Sequence, residues 1–264
     1  MVDFVHTLPY DWPQLLSLMA LLRSEQGCPW DREQTHKSIR QNLLEEAYEA
    51  CEAIDNDDKT LLCEELGDVL LQVVFHARMS EEAGDFSILD VIDGLCRKLV
   101  TRHPHVFGDT RTTDTDEVLS NWDQIKRDTK GHMTHHDAMS HIARSLPALM
   151  RAEKIQKKAK KAGFDWPDMT GAWDKLSEET DELKEAVQCG GDVEDELGDL
   201  LFSVVNVSRF LQTDPERALE RACDKFVSRF GRIERAAEAQ GRVLSEMSLQ
   251  EMDLLWEQEK KTQP

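Results

Sequence analysis

The sequence predicts an all-α protein built as two tandem, related helical bundles. Three observations carry that prediction: apolar residues recur at helical spacing, strong β-branched alternation is scarce, and five segments of the first half return in the same order in the second. Gly and Pro cluster at a few breaks, which predicts long helices with short connections. They fall roughly at 12–26, 36–55, 60–83, 87–102, 116–128, 141–162, 170–188, 192–212, 215–240 and 248–260.

The repeat runs in order along the chain. Gly27-Cys28-Pro29-Trp30, LLEEAYEA, CEELGDVLLQVV, RKLVTRH and NWDQIK are matched by Gly163-Phe164-Asp165-Trp166, LSEETDEL, EDELGDLLFSVV, DKFVSRF and LWEQEK. Five matches in one order indicate duplication. The expected domains are residues 1–130 and 141–264, joined by a polar linker at 131–140. That joint lies in DTKGHMTHHDAMSH, where His132, His135, His136 and His141 read as a solvated connector, since nothing fixes them as metal ligands.

Composition narrows the function classes. The chain has 264 residues and a formal net charge of −20, which disfavours binding to a nucleic-acid backbone or an anionic membrane. A polyanionic substrate would need cations to bring it in. The start, MVDFVHTLPYDWPQ, lacks the basic and apolar regions of a signal peptide, and no later run is long enough to cross a bilayer. A cytoplasmic protein is expected, with Cys28, Cys51, Cys63, Cys96, Cys189 and Cys223 as reduced core thiols.

The residues that carry chemistry are acids. In the first half Leu43, Leu44, Ala47, Tyr48, Cys51 and Ile54 form an apolar face, flanked by Glu46 and Glu49 three residues apart. The next helix, LLCEELGDVLLQVVF, is apolar almost all round and reads as buried, yet it holds Glu65 and Asp68. In the second half Glu179 and Glu182 lie beside the stripe Trp173, Leu176, Leu183 and Val187. Facing them, Glu196, Asp199, Ser203 and Asn206 make one polar strip along an otherwise apolar helix. An acidic pair on a helix is ordinarily a solvated face. Here the second pair sits in a core helix and the whole set occurs twice. Four converging carboxylates repel unless a hard cation neutralises them, and oxygen-only ligation suits Mg²⁺, with Mn²⁺ as a substitute.

Glu-Glu-x-x-Glu followed some fifteen residues later by Glu-x-x-Asp resembles the signature of the all-α nucleoside triphosphate pyrophosphohydrolase superfamily, and the tandem form with GCPWD and GFDW resembles MazG. The resemblance implies Mg²⁺-dependent hydrolysis of NTPs and dNTPs to the monophosphate and pyrophosphate, with broad base specificity and a pool-clearing or regulatory role. It implies Glu179, Glu182, Glu196 and Asp199 as catalytic metal ligands, with Glu46, Glu49, Glu65 and Asp68 as their first-half equivalents. It assigns Lys225 and Arg229 to the triphosphate and Trp256 to the base, and it implies a homodimer. Lys98, Arg102 and Trp122 are the corresponding first-half residues, and Lys126 is a candidate for reaching the nucleotide from the joint. A regulatory protein partner leaves no readable mark.

Two competing readings remain. A di-iron carboxylate bundle ordinarily needs Glu-x-x-His pairs, and no His stands at the partner positions. A non-catalytic nucleotide-binding scaffold is countered by intact acids in both halves. The halves can also be ranked: Phe75 and Gln72 stand opposite Asn206 and Ser203, so the first half loses a polar group on the strip. The second is expected to be the main catalytic site, with Asn206 among its substrate contacts.

Overall fold

The computed structural model describes residues 8–108, 114, 118, 125 and 134–262, with side chains to residue 260. The expected helix at 116–128, and with it Trp122 and Lys126, lies mostly or wholly outside those residues. The chain divides into two compact units, residues 1–129 and 130–264. Every regular element among the described residues is helical.

In the first unit the helices are α1 (Trp12–Leu22), α2 (Pro29–Glu33), α3 (Arg40–Asp55), α4 (Lys59–Ala83), α5 (Ile88–Arg102) and α6 (Pro104–Phe107). In the second they are α7 (His135–Ser140), α8 (Ala148–Lys161), α9 (Met169–Cys189), α10 (Val193–Phe210), α11 (Pro215–Ala239) and α12 (Leu249–Thr262), with a 3₁₀ turn at Leu244–Glu246 before the last. The centre of each unit is an antiparallel hairpin, α3 on α4 and α9 on α10, with α1 or α8 laid against its second helix.

Local chemistry fixes these hairpins. Asp58 and Asp192 cap the second helix of each, their carboxylates accepting from backbone amides two and three residues on. The second hairpin turns at Gly190, whose φ of 77° lies in the left-handed region that favours glycine. The Gly-x-x-Trp motif needs its glycine for a different reason in each half. A Cβ on Gly27 would lie 2.1 Å from the Leu21 carbonyl oxygen, whereas Gly163 has open space but a φ of 86°.

Several expectations change. The helix expected at 141–162 begins at Ala148, because Pro147 supplies the N-terminal boundary. Within the connector expected at 131–140, His135–Ser140 form a short helix capped by Thr134. The cysteines are free, but five of the six are exposed and Cys28 is partly buried, so they are not core thiols. Nor is α4 buried on all sides: Leu66, Leu70 and Val73 are exposed, and the whole of α5 except its ends is open to solvent. The apolar pattern exceeds what the described residues cover, and periodicity alone does not say whether a neighbour belongs to the same molecule. No described helix is long and apolar enough to cross a membrane.

Candidate metal centre and its cavity

Placing acids three apart on each helix of an antiparallel hairpin turns both pairs toward one seam. In the second unit one carboxylate oxygen each from Glu179, Glu196 and Asp199 lies within 4.8 Å of the others; in the first unit Glu46, Glu49 and Glu65 do the same. Each group can therefore hold a metal ion. Glu182 and Asp68 stand outside these tightest groups but act on them electrostatically. Loss of water is the main cause raising the carboxyl of Glu182, the Lys175 charge opposes it, and Glu179, Glu178 and Glu196 push it further up. Glu46 is raised by desolvation and then by Asp68 and Glu49; Glu65 is raised by desolvation and then by Glu49 and Asp68.

The donor set fits a hard cation. It is all oxygen, and Glu179, only 4% exposed, keeps one buried oxygen with no hydrogen-bond partner. Its other oxygen pairs with Lys175 Nζ at 2.6 Å, and the same ammonium reaches Glu178 at 2.7 Å. Hydrogen bonds to Glu178 and then Glu179 hold Lys175 above the usual lysine range. Sequence reading missed this residue, although its spacing of four from Glu179 was available as a signal.

From the acids a cavity of about 770 Å³ opens along α10. Glu179 and Asp199 lie at its acidic part, Ser203 and Asn206 follow, and Ile155, Phe164, Trp166 and Phe202 give it an apolar wall. Sequence reading named the polar strip but missed this wall, because α8 and the Gly163–Trp166 turn are remote from α10 in the chain. Lys225, Arg229 and Trp256 do not line the cavity. Lys225 is exposed, while Trp256 packs on Phe226 at 5.1 Å between ring centroids, with the Arg229 guanidinium 6.0 Å from its ring.

In the first unit the position of Asn206 is filled by a packed apolar side chain. Where the second has Asn206, the first has Phe75, 4% exposed, which joins Met19, Ile39, Val74 and Met79 in a closed apolar cluster. Arg23 lies over the Phe75 ring at 5.3 Å and is tied to Glu82 and to the Asp31 carbonyl.

A hairpin of paired acids, repeated in the two units and opening in the second on an aromatic-walled cavity, is a framework that can hold a metal ion with an anionic ligand beside it. A profile of the MazG nucleotide pyrophosphohydrolase domain matches residues 34–107 and 171–232. Over 247 residues the chain is 48% identical to the nucleoside triphosphate pyrophosphohydrolase/pyrophosphatase MazG of Thermotoga maritima, covering 94% of each. Identity to the nucleoside triphosphate pyrophosphohydrolase of Escherichia coli K12 is 44% over 253 residues, 94% of this chain and 96% of that one. A Bacillus subtilis protein, YabN, is 45% identical over 97% of this chain but only 53% of its own length. The chain belongs to the MazG family.

Proposed function

We propose that this chain is a Mg²⁺-dependent nucleoside triphosphate pyrophosphohydrolase that cleaves NTPs and dNTPs to the monophosphate and pyrophosphate, with its main catalytic site in the second unit. The observation that carries this reading is the cavity itself: an acid cluster suited to metal-bound phosphates continues into an aromatic wall suited to a base. Base–aromatic contact tolerates any base, which favours broad specificity.

Glu179, Glu182, Glu196 and Asp199 would hold the metal. When bound, Mg²⁺ supplies charge neutralisation on the phosphates and lowers the pKa of a bound water. The protein's own part is to fix the acids on two rigid helices, to place the triphosphate and to shelter the nucleoside. Lys175 occupies a cation position on Glu179 and can release that oxygen by turning toward a phosphate; its charge then stays inside the site. Lys225 and Arg229 are carried as triphosphate contacts and Trp256 as a base contact on the family resemblance.

The test is a panel of NTPs and dNTPs with Mg²⁺, with products resolved. Monophosphate and pyrophosphate in equal amounts are expected, with activity lost on chelation. Orthophosphate as the primary product would overturn attack at the α-phosphorus.

A homodimer accompanies this reading. Leu89, Ile92, Leu95 and Leu99 on α5, and Leu197, Leu201 and Val204 on α10, present apolar faces at helical spacing that are exposed among the described residues. Sedimentation equilibrium should return twice the 30.3 kDa chain mass. A monomer at micromolar concentration would contradict it.

A further inference from the structure

Three side chains on the cavity wall form a relay that the reaction chemistry has not used. Arg209 on α10 is 7% exposed and grips Asp165 with both terminal nitrogens, one at 2.9 Å. The same guanidinium donates to Asn206 Oδ1 through Nε at 3.1 Å and Nη2 at 2.6 Å. An arginine only donates, so the amide facing it must present its oxygen. The Asn206 NH₂ is thereby turned away from Arg209 and kept as a donor, on a residue that lines the cavity together with Arg209 and Asp165.

A second amide is set the opposite way. Gln156 on α8, 6% exposed, gives its NH₂ to the Phe202 carbonyl at 2.8 Å. Its oxygen is buried without a partner beside the same cavity. A buried acceptor with no donor is costly unless something supplies one.

Asn206 is seven residues beyond Asp199, about 10 Å along the helix. With phosphates at the acids, that distance reaches the nucleoside and passes beyond the phosphates. The first unit lacks the whole device: the repeat places Phe75 at Asn206, Pro29 at Asp165 and Ala20 at Gln156, and its Arg78 pairs instead with Glu81 and Glu82.

We propose that Asn206 donates a hydrogen bond to an acceptor on the nucleoside moiety, and that Arg209 and Asp165 are positioning residues that lock its amide in the donating orientation. This rests on the reading above that the cavity takes a nucleotide, and it adds a specificity element absent from the first unit. A preset amide loses no rotamer freedom on binding, so its donor recognises the nucleoside without reorganisation.

The experiment measures inhibition by the two product classes, adenosine or cytidine monophosphate and pyrophosphate, in Mg²⁺ with NTP as substrate. Asn206→Ala should raise the monophosphate inhibition constant about 10-fold, about 1.4 kcal/mol, and leave the pyrophosphate constant unchanged. Arg209→Lys, which keeps the charge against Asp165 but loses the fork, should raise it several-fold in the natural background and add nothing in the Asn206→Ala background. An unchanged monophosphate constant, an equal loss for pyrophosphate, or a full effect of Arg209→Lys without Asn206 would each overturn the proposal. If the alanine variant fails to fold, Asn206→Leu, which keeps the branched shape without a donor or an added charge, carries the same comparison. A wild-type protein that neither turns over NTP nor binds monophosphate would sink the functional reading itself, an outcome distinct from a failure of the relay.

Discussion

Asp199→Ala is expected to lower pyrophosphate release by about three orders of magnitude, while Asp68→Ala leaves most of the activity in place. The two residues occupy the same position of the repeat and of the helix that carries it, so the difference must come from what surrounds them. Asp199 lies within 4.8 Å of Glu179 and Glu196, at the acidic part of a cavity. Asp68 raises its neighbours Glu46 and Glu65 electrostatically, but next along its helix stands the closed cluster of Phe75, Met19 and Met79. Asp199 belongs to the tight carboxylate group of its unit and Asp68 stands outside the one in its own, so loss of metal affinity already favours a larger effect at Asp199. Access for a nucleoside widens the difference, because transition-state stabilisation needs the substrate held at the metal. Pyrophosphate release at saturating NTP and Mg²⁺ measures the comparison, and circular dichroism checks that both variants fold. Equal losses would contradict the ranking of the two units.

That ranking was legible in the sequence only in part. The substitution of Phe75 for Asn206 is visible by aligning the repeats, and so are the acids, because an i, i+3 spacing is a local property that a helix converts directly into a shared face. The helical hairpins were legible for the same reason, from the apolar period, whereas the caps at Asp58 and Asp192 and the turn at Gly190 emerged with the structure. What the sequence withheld depends on packing across long separations. The contact of Arg209 with Asp165 spans 44 residues and that of Gln156 with Phe202 spans 46, and no periodic pattern announces either. The cysteines failed for a related reason. Cys63 and Cys96 sit in helices with apolar faces, but those faces are not all turned into their own chain.

Arg209 also governs the largest stability effect expected away from the acids. Replacing Asp165 by Ala should cost the second unit about 3 kcal/mol, because it strands a guanidinium that is nearly inaccessible to water. Lys160 lies 3.8 Å from the same carboxylate but is mostly exposed, so it can be solvated and does not share the penalty. Asp165 is held below the usual carboxylate range, first by the hydrogen bond from Arg209 and then by the charges of Arg209 and Lys160, against the opposing effect of desolvation. The sign follows from linkage. A carboxyl whose folded pKa lies below its unfolded value of about 3.9 contributes stability that is fully present above that value and is lost as pH falls through the folded pKa. The gap between wild type and Asp165→Ala should thus be full at pH 7 and shrink below about pH 4, where protonation does to the natural protein what the substitution does at any pH. Urea unfolding monitored at both pH values tests this. A gap that stays constant with pH would mean that Asp165 stabilises the unit through shape and not through its charge, and would remove the electrostatic clamp from beneath Asn206.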